Sequence, residues 1–260
     1  MPRILLIAAV AIAAAVALPS IAHGSTLYQD GRTPHKLLLQ GDPDETNLVS
    51  VEGSRTVVIR DDGAPLTLAG VPTCMRLDTR AVSCSAVRRI ELDLGEGPDV
   101  AVIGTPREVE VEGGAGNDRY STVATDAPSR VDFDGGIGLD VASYFFATAG
   151  VHVSVDREAG DGRPGDDDRI RRNVETVSGS AFADVLAGGP GAELLMGRDG
   201  DDQITGGAGE DVLSGDEGND RIDARDGEPD TIDCGGWLLD WAAVDIDAEA
   251  SITGCAEIVS

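Results

Sequence analysis

Carboxylates at a fixed spacing are the residues best placed to do chemistry in this chain. From Gly179 the sequence reads GSAFADVLA (179–187), GGPGAELLM (188–196), GRDGDDQIT (197–205), GGAGEDVLS (206–214) and GDEGNDRID (215–223), then a looser ARDGEPDTID (224–233). An acid holds the sixth place of each unit, at Asp184, Glu193, Asp202, Asp211 and Asp220. Glycine opens all five units and returns at the fourth place in Gly191, Gly200, Gly209 and Gly218. The eighth place is always aliphatic: Leu186, Leu195, Ile204, Leu213 and Ile222. Tight glycine turns aim carbonyl oxygens inward, and the sixth-place carboxylate adds a charged oxygen to them. An all-oxygen donor set is what hard Ca²⁺ prefers. The pattern points to ion binding rather than to acid–base or nucleophilic catalysis.

Such a site needs elements that hold the oxygens in place. The last three residues of each unit alternate polar–aliphatic–polar, a minimal strand with one inward side chain. A nonapeptide is therefore a turn plus a strand, and two of them, 18 residues, complete one flattened coil of a solenoid. Alternate units then stack about 4.8 Å apart. This sets Asp184, Asp202 and Asp220 in one file, and Glu193, Asp211 and, past a one-residue insertion, Asp230 in the opposite file. Bare carboxylates about 5 Å apart repel by roughly 3 kcal/mol at an effective dielectric of 20. Residues 179–236 hold 15 acids and three arginines. One buried aliphatic per unit contributes about 1.5–3 kcal/mol, too little to offset both that repulsion and chain entropy. The segment is expected to fold only with a divalent cation between its coils.

These residues resemble the RTX, or haemolysin-type, calcium-binding repeat GGxGxDxUx, U being a large aliphatic residue; GGAGEDVLS (206–214) is the best copy. The resemblance implies an all-β fold, a right-handed parallel β-roll (a β-solenoid). It also implies Ca²⁺ as cofactor, held between turns by Asp184, Asp202, Asp211 and Asp220. Backbone carbonyls of turns containing Gly188, Gly197, Gly206, Gly209, Gly215 and Gly218 would complete the shells. Glu193 departs from the pattern, and Asp230 is displaced by the insertion near Pro229. Upstream, GGAGNDRYS (113–121) and GGIGLDVAS (135–143) match with Asp118 and Asp140 behind Gly113 and Gly135, while Gly95 to Asp99 keeps only GxGxD. These copies lie about 20 residues apart and read as single turns of a coarser solenoid. Binding is expected at Asp118 and Asp140. The acidic turn 161–168 reads equally as a cation ligand or a solvated loop.

The expected organisation is a signal peptide over 1–22, a β-rich N-terminal cap over 23–92, degenerate solenoid turns and a connector over 93–177, the nonapeptide roll over 178–236, and a C-terminal cap over 237–260 containing Trp237, Leu238, Leu239 and Trp241. Arg3, the apolar run Ile4 to Leu18 and the small residues near Ala22 suit a cleaved secretory signal; about 15 apolar residues are too few to span a bilayer. Export makes the four cysteines a disulfide framework with three connectivities, of which proximity favours Cys74–Cys84 and Cys234–Cys255. The composition suits a GC-rich bacterial source.

A formal charge of −27 argues against nucleic acid and anionic membranes as partners. No HExxH, GxSxG or P-loop motif occurs, and His23, His35 and His152 stand apart. The expectation is a secreted, non-enzymatic, calcium-binding scaffold, with a cell-wall or matrix polymer as the candidate macromolecular partner. Alternatives are a carbohydrate- or ligand-binding module and, more weakly, a hydrolase using an unfamiliar acid pair.

Overall fold

A computed structural model describes residues 24–29, 33, 35–41, 45–125, 127–236, 239–245 and 251–259. The expected signal peptide, and Trp237 and Leu238 of the expected C-terminal cap, lie outside them. The fold is all-β: twenty-five strands form sheets of seven, twelve and six strands, with no helix among the described residues. The two larger sheets are mixed and the smallest is wholly parallel; no sheet closes on itself.

The repeat dictates the strand pattern. Leu194–Asp199 pairs in parallel with Val212–Glu217 in the twelve-stranded sheet, Leu194 opposite Val212. Val185–Ala187, Gln203–Thr205 and Arg221–Ala224 pair in the six-stranded sheet. Successive units thus alternate between two sheets, and each strand bonds to the one two units on. Three-residue strands bury one side chain each: Leu186, Leu195, Ile204, Leu213, Ile222 and Ile232 are at most 1% exposed, whereas flanking Val212 is 44% exposed. These residues join upstream ones in one apolar cluster.

Upstream, the seven-stranded sheet takes the place of the six-stranded one. Arg89–Asp93, Glu108–Ala115 and Arg130–Ile137 pair in parallel there. Val100–Gly104, Arg119–Thr122 and Val141–Ser143 run in the twelve-stranded sheet. That sheet is parallel from Ser251–Thr253 to Leu48–Glu52 and turns antiparallel through Thr56–Asp61, Ala81–Ser85 and Cys74–Arg76. Both favoured disulfides are present, Cys74–Cys84 and Cys234–Cys255. The first joins directly opposed residues of the antiparallel edge.

The handover between the two smaller sheets occurs where Arg169–Ile170 ends one and His152–Ser154 begins the other. The acidic turn 161–168 lies at this junction; Asp161, Gly162, Arg163 and Asp168 are buried, whereas Pro164, Gly165 and Asp167 are exposed. Asp168 accepts hydrogen bonds from the Val131 amide (2.8 Å) and from the hydroxyls of Ser129 (3.1 Å), Tyr120 and Tyr144 (both 3.3 Å). Asp161 accepts from the amides of Ser154 and Ile170, both at 2.8 Å. The Arg163 guanidinium pairs with Asp166 and donates to the carbonyls of Thr125 and Ala127. Asp161 and Asp168 are thus tied into the interior by hydrogen bonds, while the tip of the turn at Pro164 and Gly165 is exposed.

Candidate metal centre

Each nonapeptide places its carboxylate just before its strand, and parallel pairing brings equivalent carboxylates into register. Asp184, Asp202 and Asp220 occupy one file and Glu193, Asp211 and Asp230 the other. Within a file, each acid is bonded to the next. The Asp184 amide donates to Asp202 Oδ1 (2.8 Å), Asp202 to Asp220 Oδ1 (2.9 Å), and Asp220 to Asp240 Oδ1 (3.0 Å). Opposite, Glu193 donates to Asp211 Oδ1 (2.8 Å) and Asp211 to Asp230 Oδ1 (2.9 Å). The insertion near Pro229 is absorbed in the turn, so Asp230 keeps its place: Thr231 still pairs with Val212.

One oxygen of each carboxylate therefore serves the backbone, which leaves the other. Oδ2 of Asp202, Asp211 and Asp220 is buried with no hydrogen-bond partner. Asp184 differs, because its Oδ2 accepts the Ser180 amide at 2.6 Å. In Glu193 the longer side chain reaches the Gly189 amide at 3.0 Å. An orphaned carboxylate oxygen out of water costs several kcal/mol unless a proton or cation neutralises it. Burial is accordingly the leading cause of raised proton affinity along the files. It pushes Asp202 up to about 7 and Asp211 and Asp220 up to about 6, with repulsion from neighbouring acids adding to the effect.

The opening glycines are required by space. A Cβ on Gly206 would lie 2.7 Å from Asp211 Oδ2. Gly179, Gly197 and Gly215 hold the same relation to Asp184, Asp202 and Asp220, and Gly188 to Glu193. The carbonyls of Gly215 and Cys234 border the same spaces beside Gly197 and Gly215, 2.9 and 2.7 Å from the missing Cβ. Gly209 and Gly218, at the fourth place, take φ of +127° and +151°, a conformation that carries no side-chain penalty in glycine. The cradle thus presents carboxylate and carbonyl oxygens together. Among the described residues no three His, Cys, Asp or Glu side chains converge on one point, so carbonyls must supply much of any coordination shell. This all-oxygen set fits Ca²⁺ and offers none of the nitrogen or sulfur ligands that zinc favours.

The upstream acids follow the same rule. The Asp99 amide donates to Asp118 Oδ1 (2.9 Å) and the Asp118 amide to Asp140 Oδ1 (2.8 Å), and all three Oδ2 atoms are buried without a partner. Gly113 makes room for Asp118 and Gly135 for Asp140. Sequence reasoning missed two residues of this file. The Asn47 amide donates to Asp99 Oδ1 at 2.5 Å, and Glu175 Oε2 accepts the Asp140 amide at 2.8 Å. Neither sits in a glycine motif that could have flagged it. Asp240 was also missed, although a glycine pair, Gly235-Gly236, precedes it.

A family model described as the RTX calcium-binding nonapeptide repeat (4 copies) matches residues 173–204 and again 196–228. Among curated proteins, none matches the chain.

Proposed function

Because residues 173–228 carry RTX calcium-binding nonapeptide repeats, which make this a calcium-binding protein, we propose that it is a secreted scaffold whose repeat region winds into a right-handed parallel β-roll when Ca²⁺ binds. Asp202, Asp211 and Asp220, with Asp184 and Asp230, supply the carboxylates. The turns around Gly188, Gly197, Gly206, Gly209, Gly215 and Gly218 supply carbonyls. The observation that carries this reading is the set of buried Oδ2 atoms of Asp202, Asp211 and Asp220 that lack a hydrogen-bond partner. Calcium supplies positive charge between the coils; the chain's own contribution is to orient oxygens and to hold each carboxylate by a backbone N–H.

The leader 1–22 is removed on export, residues 23–92 cap one end of the stack, and 93–177 and 178–236 form its body. The segment 237–260 closes the other end with the Cys234–Cys255 bond. The oxidised cysteine pairs suit an extracellular location. The role is structural and non-catalytic, at a surface rich in cell-wall or matrix polymer.

Calcium titration into the chelator-treated chain spanning residues 23–260, followed by far-UV circular dichroism with calorimetry alongside, tests the proposal. A cooperative coil-to-β transition between micromolar and millimolar Ca²⁺ is expected, shifted to higher calcium by Asp211→Ala with Asp220→Ala. A chain already fully β without metal, and showing no heat of binding, would refute it.

A second reading, ligand binding on a solenoid edge, draws on Phe145, Phe146 and Phe182, each about half exposed. The rings of Phe145 and Phe146 lie 4.8 Å apart, centroid to centroid. Retention on insoluble polysaccharide that is lost in Phe145→Ala with Phe146→Ala would favour it.

A further inference from the structure

We propose that the outer face of the twelve-stranded sheet binds an acidic polysaccharide, with Arg119 and Arg198 holding its sugar carboxylates and Phe145, Phe146 and Phe182 bearing its rings. The proposal rests on the ligand-binding reading of those phenylalanines and gives it a ligand class. Arg119–Thr122, Val141–Ser143, Thr176–Ser178 and Leu194–Asp199 are consecutive neighbours in that sheet. Ala142 and Val177 are core residues, so alternation turns Ser143 and Ser178 outward. Both serines are nevertheless buried. Each hydroxyl receives a guanidinium from the neighbouring coil: Arg119 donates to Ser143 at 3.0 Å, and Arg198 Nε donates to Ser178.

These two guanidinium groups have no counter-ion in the chain. Arg89, Arg169 and Arg171 on the seven-stranded sheet are all paired with acids, whereas neither Arg119 nor Arg198 forms an ion pair among the described residues. Asp216 lies opposite Arg198 in the ladder, but its carboxylate accepts the Ser214 hydroxyl at 2.7 Å. The Arg198 guanidinium lies instead over the Phe145 ring, 4.8 Å from its centroid. Burial, and after it repulsion from Arg198, lower the proton affinity of Arg119; two like charges share this face. Arg198 is also held at a backbone cost. It stands second in its nonapeptide, where the units on either side have Gly189 and Gly207. Its φ is +85°, beside +107° for Gly207, so a side chain is kept where glycine would be unstrained.

The rings complete the surface. Phe145 and Phe146 follow Val141–Ser143, and Phe182 follows Thr176–Ser178, which sets all three on one edge of adjoining coils. The Phe145 and Phe146 rings meet edge to face at 83°. An exposed ring offers an apolar, weakly negative face to the C–H bonds of a sugar, and a guanidinium fork matches a carboxylate in two places. Charge complementarity selects the acidic ligand over a neutral one. Elsewhere the charge of −27 repels a polyanion, which confines contact to this short stretch. The stretch joins the upstream coils to the repeats and exists only where the two are stacked.

Calorimetric titration of the chain spanning residues 23–260 in saturating calcium, with a short oligogalacturonate as free acid and as methyl ester, tests the proposal. The free acid should bind about tenfold more tightly than the ester, as expected for charge-assisted hydrogen bonds. Arg119→Gln with Arg198→Gln should abolish that preference with the far-UV dichroism unchanged, and Phe145→Ala with Phe146→Ala should weaken both forms. Equal affinity for acid and ester would overturn the arginine assignment and leave the aromatic reading standing. No binding of either form would overturn both. An acid preference that survives loss of both arginines would mean that calcium bridges the oligomer to surface carboxylates, and the proposal fails. Where the double arginine variant does not fold, Arg119→Gln alone, which leaves the nonapeptide turns untouched, should lower the preference; an unchanged preference there overturns the proposal.

Discussion

At the residue scale, the carboxylates of Asp202, Asp211 and Asp220 each do two tasks, and the opening glycine makes both possible. One oxygen fixes a backbone N–H of the neighbouring coil, and the other faces the inter-coil space; a side chain at the first place would collide with it. Gly206 takes no left-handed φ, so its requirement is one of room alone. Gly206→Ala would set a methyl 2.7 Å from Asp211 Oδ2 and 3.3 Å from Leu213 Cδ1. It should destabilise the calcium-loaded chain by about 1–3 kcal/mol, the usual cost of overpacking, and raise the calcium midpoint because the displaced oxygen is the free one. Thermal unfolding in saturating calcium and a calcium titration read the two effects separately. A variant with lower stability and an unchanged midpoint would mean that Oδ2 of Asp211 does not engage the ion.

At the scale of the element, a three-residue strand has one side chain with which to hold its coil. Leu213 is fully buried, while Val212 beside it is 44% exposed and Ser214 lies on the outward side. Leu213→Ala should therefore cost about 2–5 kcal/mol through lost burial and the cavity left behind, and Val212→Ala should stay within about 0.5 kcal/mol. Chemical denaturation in saturating calcium distinguishes them, and equal losses would contradict the one-residue core. This much was legible in the sequence, because the 2-periodicity of strand and the nine-residue spacing of glycine and acid are both local. The disulfide pairing was legible for the same reason. What was not legible depends on distant contacts. Asn47 meets Asp99 across 52 residues, and Asp168 meets Tyr120 across 48. The turn 161–168 is as acidic as any solvated loop, and only the hydroxyls and amide converging from Ser129, Val131 and Tyr144 set its Asp168 in the interior. Likewise, nothing in the local pattern announces that one sheet hands over to another at Ile170.

For the whole molecule, the two disulfides and the buried acids act at different places. Cys74–Cys84 lies at one edge of the twelve-stranded sheet, and Cys234–Cys255 ties its outermost rungs at the other, the two places where a stack bonded only to its neighbours would fray. Closing the 21-residue separation of the second bond contributes about 3 kcal/mol in the chain-entropy account. The acids between these staples make stability depend on pH in a way that calcium inverts. Burial pushes Asp99 and Asp202 up to about 7, and Asp140, Asp211 and Asp220 up to about 6, against about 3.9 in an unfolded chain. A carboxyl whose folded pKa is raised favours the fold fully below the unfolded value and withdraws that support as pH rises through the folded value. Without metal, then, the balance should shift from coil towards β as pH falls from 8 towards 5, read by far-UV circular dichroism in chelator. With calcium the order reverses, because protons and Ca²⁺ compete for the same Oδ2 atoms. The calcium concentration at half-transition should rise roughly tenfold between pH 7.5 and 5.5, since a site with pKa 6–7 is mostly protonated at the lower value. Parallel pH profiles with and without calcium would mean that the ion binds somewhere other than these carboxylates; opposed profiles would tie folding, proton uptake and calcium binding to one set of oxygens.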